Sequence, residues 1–232
     1  MDWFLYFMRW GHFVAGITWI GLLYFFNLVN AKFKNMANSN FMASLDGPTK
    51  LKVYPLLMPK ALWWFRWGAL WTVIFGLAMY GVYLPQHMTD EPTKRAVMLV
   101  WAGQFVIYIL NFYAISLTAD DKNAPVHNLM ILFVLILCGF GIAAPYVMGA
   151  NYYATGITVG GGFGILMLLN VWGVIWRLQK KIIQANIDQA NGQPAPADLA
   201  KLSKVAGVAS RTNFWLSLPM LFFMGSMHLP HP

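Results

Sequence analysis

Acidic residues are scarce in this chain, and none lies in its long apolar stretches. Eight Asp and Glu stand against 16 Lys and Arg. Asp2, Asp46, Asp90, Glu91, Asp120, Asp121, Asp188 and Asp198 fall in tails or between apolar runs. That absence excludes a proton or cation pathway built on membrane carboxylates. Cysteine is almost missing as well. Cys138, the one cysteine, cannot form an intrachain disulfide, and there is no CxxCH for covalent haem. It reads as a packing residue. Charged residues make up 10% of the chain, well under the roughly 25% of a soluble domain. Neither a hydrolase motif nor a nucleotide-binding loop is present. No internal repeat or low-complexity tract stands out.

What the chain has instead is apolar length: 59% hydrophobic and 16% aromatic residues. Six apolar stretches run over Trp3–Val29, Ala61–Leu84, Ala96–Leu117, Val126–Met148, Tyr152–Trp176 and Asn213–Leu229. An α-helix needs about 20 residues to cross about 30 Å of hydrocarbon. The expectation is an all-α integral membrane protein, a bundle of about six transmembrane helices forming a single domain over residues 1–232. Six crossings put 13 of the 16 Lys and Arg on one face and leave Arg9, Lys94 and Arg95 on the other. By the positive-inside rule the basic face is cytoplasmic, so both termini lie on the non-cytoplasmic side. Segments 30–60 and 177–212 then become cytoplasmic loops. The net charge of +8 is explained by this topology and by contact with anionic lipid, so no nucleic-acid partner is implied. The first apolar run lacks a cleavage site and reads as a retained helix.

Within the loops, residues 30–60 mix apolar and basic residues, and parts of them suit the membrane surface. Arg177–Asp188 continues the fifth helix, and Gly192-Gln-Pro-Ala-Pro196 stops it. Asp198–Val208 reads as a short amphipathic helix before the last span. Trp63, Trp64, Trp67, Trp101, Trp172 and Trp176 sit near span ends, as interfacial aromatics do. Arg9 and Arg66 are close enough to span ends to snorkel. Gln104, Asn111 and Asn170 are in-span amides suited to interhelical hydrogen bonds. Pro145 and Pro219 are expected to kink their helices. Gly160–Gly164 with Pro145 leave room for a transporter with helices broken around a central site.

The histidines carry the sharpest chemistry. His12 and His228 fall in the same outer leaflet, His87 in an outer loop, and His127 near the opposite face. A neutral imidazole is a common ligand for haem iron and other metals. Gly11 and Gly16 flank His12 with small surface against which a porphyrin plane can lie. The alternative is a histidine hydrogen-bonded to a neighbouring helix, and the spacing does not separate the two. Along the helix axes His228 lies about 6 Å farther out than His12 at 1.5 Å per residue.

Four segments carry a resemblance. They are Arg9-Trp-Gly-His-Phe-Val-Ala-Gly-Ile-Thr-Trp-Ile-Gly21, Pro59-Lys-Ala-Leu-Trp-Trp-Phe-Arg-Trp-Gly-Ala-Leu-Trp-Thr72, Asn170-Val-Trp, and Ser210-Arg-Thr-Asn-Phe-Trp-Leu-Ser-Leu-Pro219 continuing to Met224-Gly-Ser-Met-His-Leu-Pro230. Together they resemble the membrane-embedded amino-terminal domain of bacterial urate hydroxylases of the PuuD type. The resemblance implies a multi-pass protein of the bacterial inner membrane in which His12 and His228 act together. It tips His12 towards iron, and so towards a metal site of His12 and His228 holding haem b. The function it implies is electron transfer to a periplasmic cytochrome c or a partner complex. The chain departs from the family in the first loop, where Ser44–Tyr54 holds no histidine, and in carrying no CxxCH cytochrome. Urate oxidation is therefore not expected of it, and the cytochrome is expected on another chain. A cofactor-free accessory subunit packed against other membrane subunits is the other reading.

Overall fold

The computed structural model describes residues 2–29, 45–120 and 124–226. Among them all regular structure is helical. Helix α1 spans Asp2–Tyr24 and runs on through a π-helical turn at Phe25–Val29. Helix α2 covers Gly47–His87, α3 Glu91–Thr118 and α4 Ala124–Met148. Helix α5, Tyr152–Asn170, passes through a second π turn at Val171–Ile175 into α6, Trp176–Ala190. Helix α7 is Leu199–Ser226. Among the described residues five stretches are long and apolar enough to cross a membrane: Trp3–Val29, Gly47–His87, Glu91–Thr118, Pro125–Met148 and Tyr152–Ala190. In the expected sixth, Asn213–Leu229, the described helix ends at Ser226.

Two elements differ from the sequence expectation. Residues 47–60 are not loop: α2 begins at Gly47 and continues unbroken into the second apolar stretch. Its start is marked by Asp46, whose Oδ2 accepts the Thr49 backbone N–H at 3.1 Å, an N-cap arrangement. Pro55 and Pro59 remain inside the helix although each removes one backbone donor. Packing holds this turn, since Met58 and Leu62 are buried. The Tyr54 hydroxyl also donates to Gln179 Oε1 at 3.0 Å. Likewise, the amphipathic segment 198–208 is not a separate helix. It is the first part of α7, with Ala206 and Ala209 buried and Lys201 and Lys204 exposed. The continuation of α5 into α6 and its end at Ala190 match the expectation, with Gly192 turning the chain at φ +84°.

The chain divides into two compact units. The first comprises Met1–Trp10, Val73–Met167 and Trp215–Pro232. Here α3 packs along α4, and Ala96, Ala144 and Ala150 form a small-residue cluster with Phe140 and Met148 against it. The α4–α5 turn uses Gly149 at φ +67°, a left-handed conformation that side-chain-bearing residues adopt at a cost. Asp90 caps α3 by accepting the Thr93 N–H and hydroxyl, each at 2.8 Å. These bonds hold its carboxyl below the usual range. The Asn151 N–H then donates to Thr93 Oγ1 at 2.7 Å, tying the turn to the cap.

In this unit Gly160 and Gly162 of α5 serve close packing. A Cβ on Gly160 would meet the Met220 carbonyl at 3.2 Å, and one on Gly162 the Gln104 amide at 2.5 Å. Gln104 is fully buried and donates to the Val159 carbonyl at 3.0 Å. Helices α4 and α5 pass through Pro145 and Gly160–Gly164 without a break, so the broken-helix geometry of a transporter has no basis here.

The second unit comprises Gly11–Thr72 and Leu168–Phe214. Asn27, in the first π turn, donates to Ser210 Oγ at 3.0 Å. Asn170 donates to Asn213 Oδ1 at 2.8 Å. Phe26 meets Phe65, and Tyr24 meets Phe214, edge to face. A buried amide pair in an apolar medium supplies register, because a slipped helix would strand both amides.

Candidate functional site

The motif segment of α1 meets the motif segment of α2 within the second unit. Gly68 is the point of closest approach. A Cβ there would lie 3.2 Å from the Trp19 nitrogen and 3.3 Å from the Ala15 carbonyl oxygen, both backbone atoms. A methyl group there would force α1 and α2 apart by a few tenths of an ångström. One turn along α2, the Thr72 hydroxyl donates back to the Gly68 carbonyl at 2.7 Å.

The Thr72 carbonyl then faces His12, with Nδ1 of the ring 2.8 Å away. A carbonyl oxygen can only accept, so Nδ1 carries the proton. In the neutral ring Nε2 then keeps the lone pair, and it is the nitrogen that a metal-bound histidine offers when a backbone carbonyl fixes the other. The donor set fits single-imidazole ligation in this respect. His12 is half-buried and Gly11 is buried. Gly16 does not present an open face: a Cβ there would rest 3.7 Å from the Thr72 side chain, in ordinary contact. The surface expected to receive a porphyrin at Gly16 is thus partly taken by α2. His228 lies outside the described residues, so its placement against His12 is not part of this geometry. Among the described residues no three His, Cys, Asp or Glu side chains converge on a common metal position.

Two further features were not singled out from the sequence. Trp19 is 1% exposed, and its indole N–H, close to the α1–α2 crossing, has no hydrogen-bond acceptor. Nothing in its residue type signals this, because an in-span tryptophan reads simply as apolar. Toward the start of the apolar part of α2, Arg66 sits among indoles. Its guanidinium carbon is 3.8 Å from the Trp176 ring centre, 5.5 Å from Trp172 and 6.0 Å from Trp67. The Trp172 indole N–H donates to the Arg66 carbonyl at 3.2 Å. The sequence placed all four near span ends, but Trp172 lies in the α5–α6 π turn and Trp176 directly after it, a turn that no local pattern announces.

The urate oxidase N-terminal family model matches residues 1–232. No curated protein and no solved structure matches the chain.

Proposed function

The chain belongs to the urate oxidase N-terminal family, and on that premise we propose that it is a membrane-integral redox domain that holds haem b through His12 and passes electrons towards the outer face. The observation that carries this reading is the His12–Thr72 hydrogen bond of 2.8 Å. An unpaired imidazole in the bilayer is costly. Here one nitrogen is tied to a backbone carbonyl and the other keeps its lone pair. The Gly68 crossing supports the arrangement, since it sets the Thr72 carbonyl against α1. Haem supplies one-electron iron chemistry when bound. The protein's part is to fix the ring by Thr72, to bury the site among apolar helices, and to set its depth in the membrane. His228 would be the second residue to hold the group.

Six crossings with both termini outside complete the proposal. The 13-to-three partition of basic residues supports it. So does the helical continuation of α7 to Ser226, which covers 14 residues of the last apolar stretch. His12 then lies in the outer half of the membrane, where a periplasmic cytochrome c can come near. The setting is the bacterial inner membrane. Urate oxidation is not assigned to this chain, because Ser44–Tyr54 carries no histidine.

A reduced-minus-oxidised absorption spectrum of the purified chain, from cells supplied with haem, tests the reading. A b-type difference band that vanishes on addition of oxidised cytochrome c is expected. A colourless protein would favour the cofactor-free accessory subunit instead.

A further inference from the structure

The Arg66 cluster has a charge imbalance that its own residues do not correct. Trp176 carries two cations over its ring: the Arg66 guanidinium at 3.8 Å and the Lys180 ammonium at 5.6 Å. Neither forms an ion pair among the described residues. Arg66 Nε is buried and has no acceptor. Cation–π contact offsets part of the cost of placing a guanidinium beside hydrocarbon, but an indole face leaves the N–H donors along the guanidinium edge unused. The acids of this unit lie elsewhere: Asp46 caps α2, Asp188 accepts from Gln184 at 2.8 Å, and Asp198 follows Pro196 in the α6–α7 turn.

The depth of the cluster indicates what supplies the missing anion. Arg66 is six residues into the apolar stretch beginning at Ala61, so it lies within about 9 Å of that end at 1.5 Å per residue. Trp63 and Trp64, beside it on α2, are 46% and 59% exposed. Exposed tryptophans at a span end mark the level of lipid headgroups. Arg177 and Lys181 follow on α6, so the local field is positive and attracts anionic lipid.

We propose that Arg66, Lys180 and Trp176 form a binding site for a phosphate anion, supplied by the headgroup of an anionic phospholipid on the basic face of the membrane. The guanidinium donates to the phosphate oxygens, the ammonium adds charge, and the indole holds both cations at headgroup depth. The site is independent of the haem reading, because none of its residues touches His12.

The test uses the full chain in detergent, titrated separately with short-chain phosphatidylglycerol, short-chain phosphatidylcholine and inorganic phosphate. Binding is read by tryptophan fluorescence and by lipid retained in native mass spectrometry. Saturable binding of phosphatidylglycerol, with weaker binding of phosphatidylcholine, is expected. Arg66→Gln should weaken it roughly tenfold or more, the loss of a charge-assisted hydrogen bond, and Lys180→Gln should weaken it less. Arg66→Lys keeps the charge and loses the fork, so it should recover part of the affinity. Melting temperatures identify a variant that merely fails to fold, and Lys180→Gln, on the exposed face of α6, keeps the proposal open to refutation in that event. Equal binding of both lipids, or wild-type affinity in folded Arg66→Gln and Lys180→Gln proteins, would overturn the site. Competition by inorganic phosphate without lipid binding would overturn the lipid assignment.

Discussion

Replacing Gly68 by alanine should loosen the crossing on which His12 depends, whereas the same change at Gly16 should not. Both residues are helical glycines on the α1–α2 interface, and both substitutions gain about 1 kcal/mol of helix propensity. They differ in what the new methyl group meets. At Gly68 it would press on the Trp19 nitrogen at 3.2 Å, the Ala15 carbonyl oxygen at 3.3 Å and the Trp19 Cβ at 3.4 Å. Two of these are backbone atoms of one helical turn, and no side-chain rotation moves them aside. The helices must separate by a few tenths of an ångström, and overpacking of this kind costs about 1–3 kcal/mol. The balance for Gly68→Ala is a net loss of about 1 kcal/mol. At Gly16 the methyl group would rest 3.7 Å from the Thr72 Cγ2, so Gly16→Ala should be neutral or gain up to about 1 kcal/mol. Thermal unfolding of the two variants in the same detergent, followed by circular dichroism, gives the comparison. A Gly68→Ala protein at least as stable as Gly16→Ala would refute the reasoning.

Three further outcomes follow from the geometry. Asn213→Ala removes the acceptor of a 2.8 Å buried bond from Asn170 and should cost about 1 kcal/mol, read as a lower melting temperature. Asp90 is held below the ordinary carboxylate range by its bonds to Thr93. Its contribution is therefore complete above the unfolded carboxylate pKa and lost as pH falls through the lower folded value. Acid melting scans of the wild type should show this loss, and Asp90→Asn should remove that part of the pH dependence. A reporter fused to the C-terminus and active only in the cytoplasm should stay silent, and activity there would contradict the assigned topology.

Much of the fold was legible because a membrane imposes one rule on long apolar segments: they become helices that satisfy their own backbone. The stop after α6 was equally plain, since Gly192 and the prolines after it are punctuation. The start of α2 was not. Residues 30–60 read as a loop because they mix apolar and basic residues, whereas α2 begins at Gly47 and runs unbroken through Pro55 and Pro59, with Met58 and Leu62 buried. The amides behaved as their residue type suggests, Asn170 bonding Asn213 and Gln104 bonding the Val159 carbonyl. The site was half legible. His12 stood out as an in-span titratable group, but its partner is a backbone carbonyl, which has no sequence signature. Gly16 looked like an open face and lies against Thr72, whereas Gly68, where the two helices approach most tightly, carried no distinguishing local signal. The cluster around Arg66 was visible only as scattered interfacial tryptophans.

Absorption spectra of haem-supplied wild-type, His12→Ala and His127→Ala proteins test the central claim most directly. The account predicts a b-type difference band in the wild type, retained in His127→Ala and abolished or shifted in His12→Ala. An intact band in folded His12→Ala protein would contradict the assignment of His12 as the ligand.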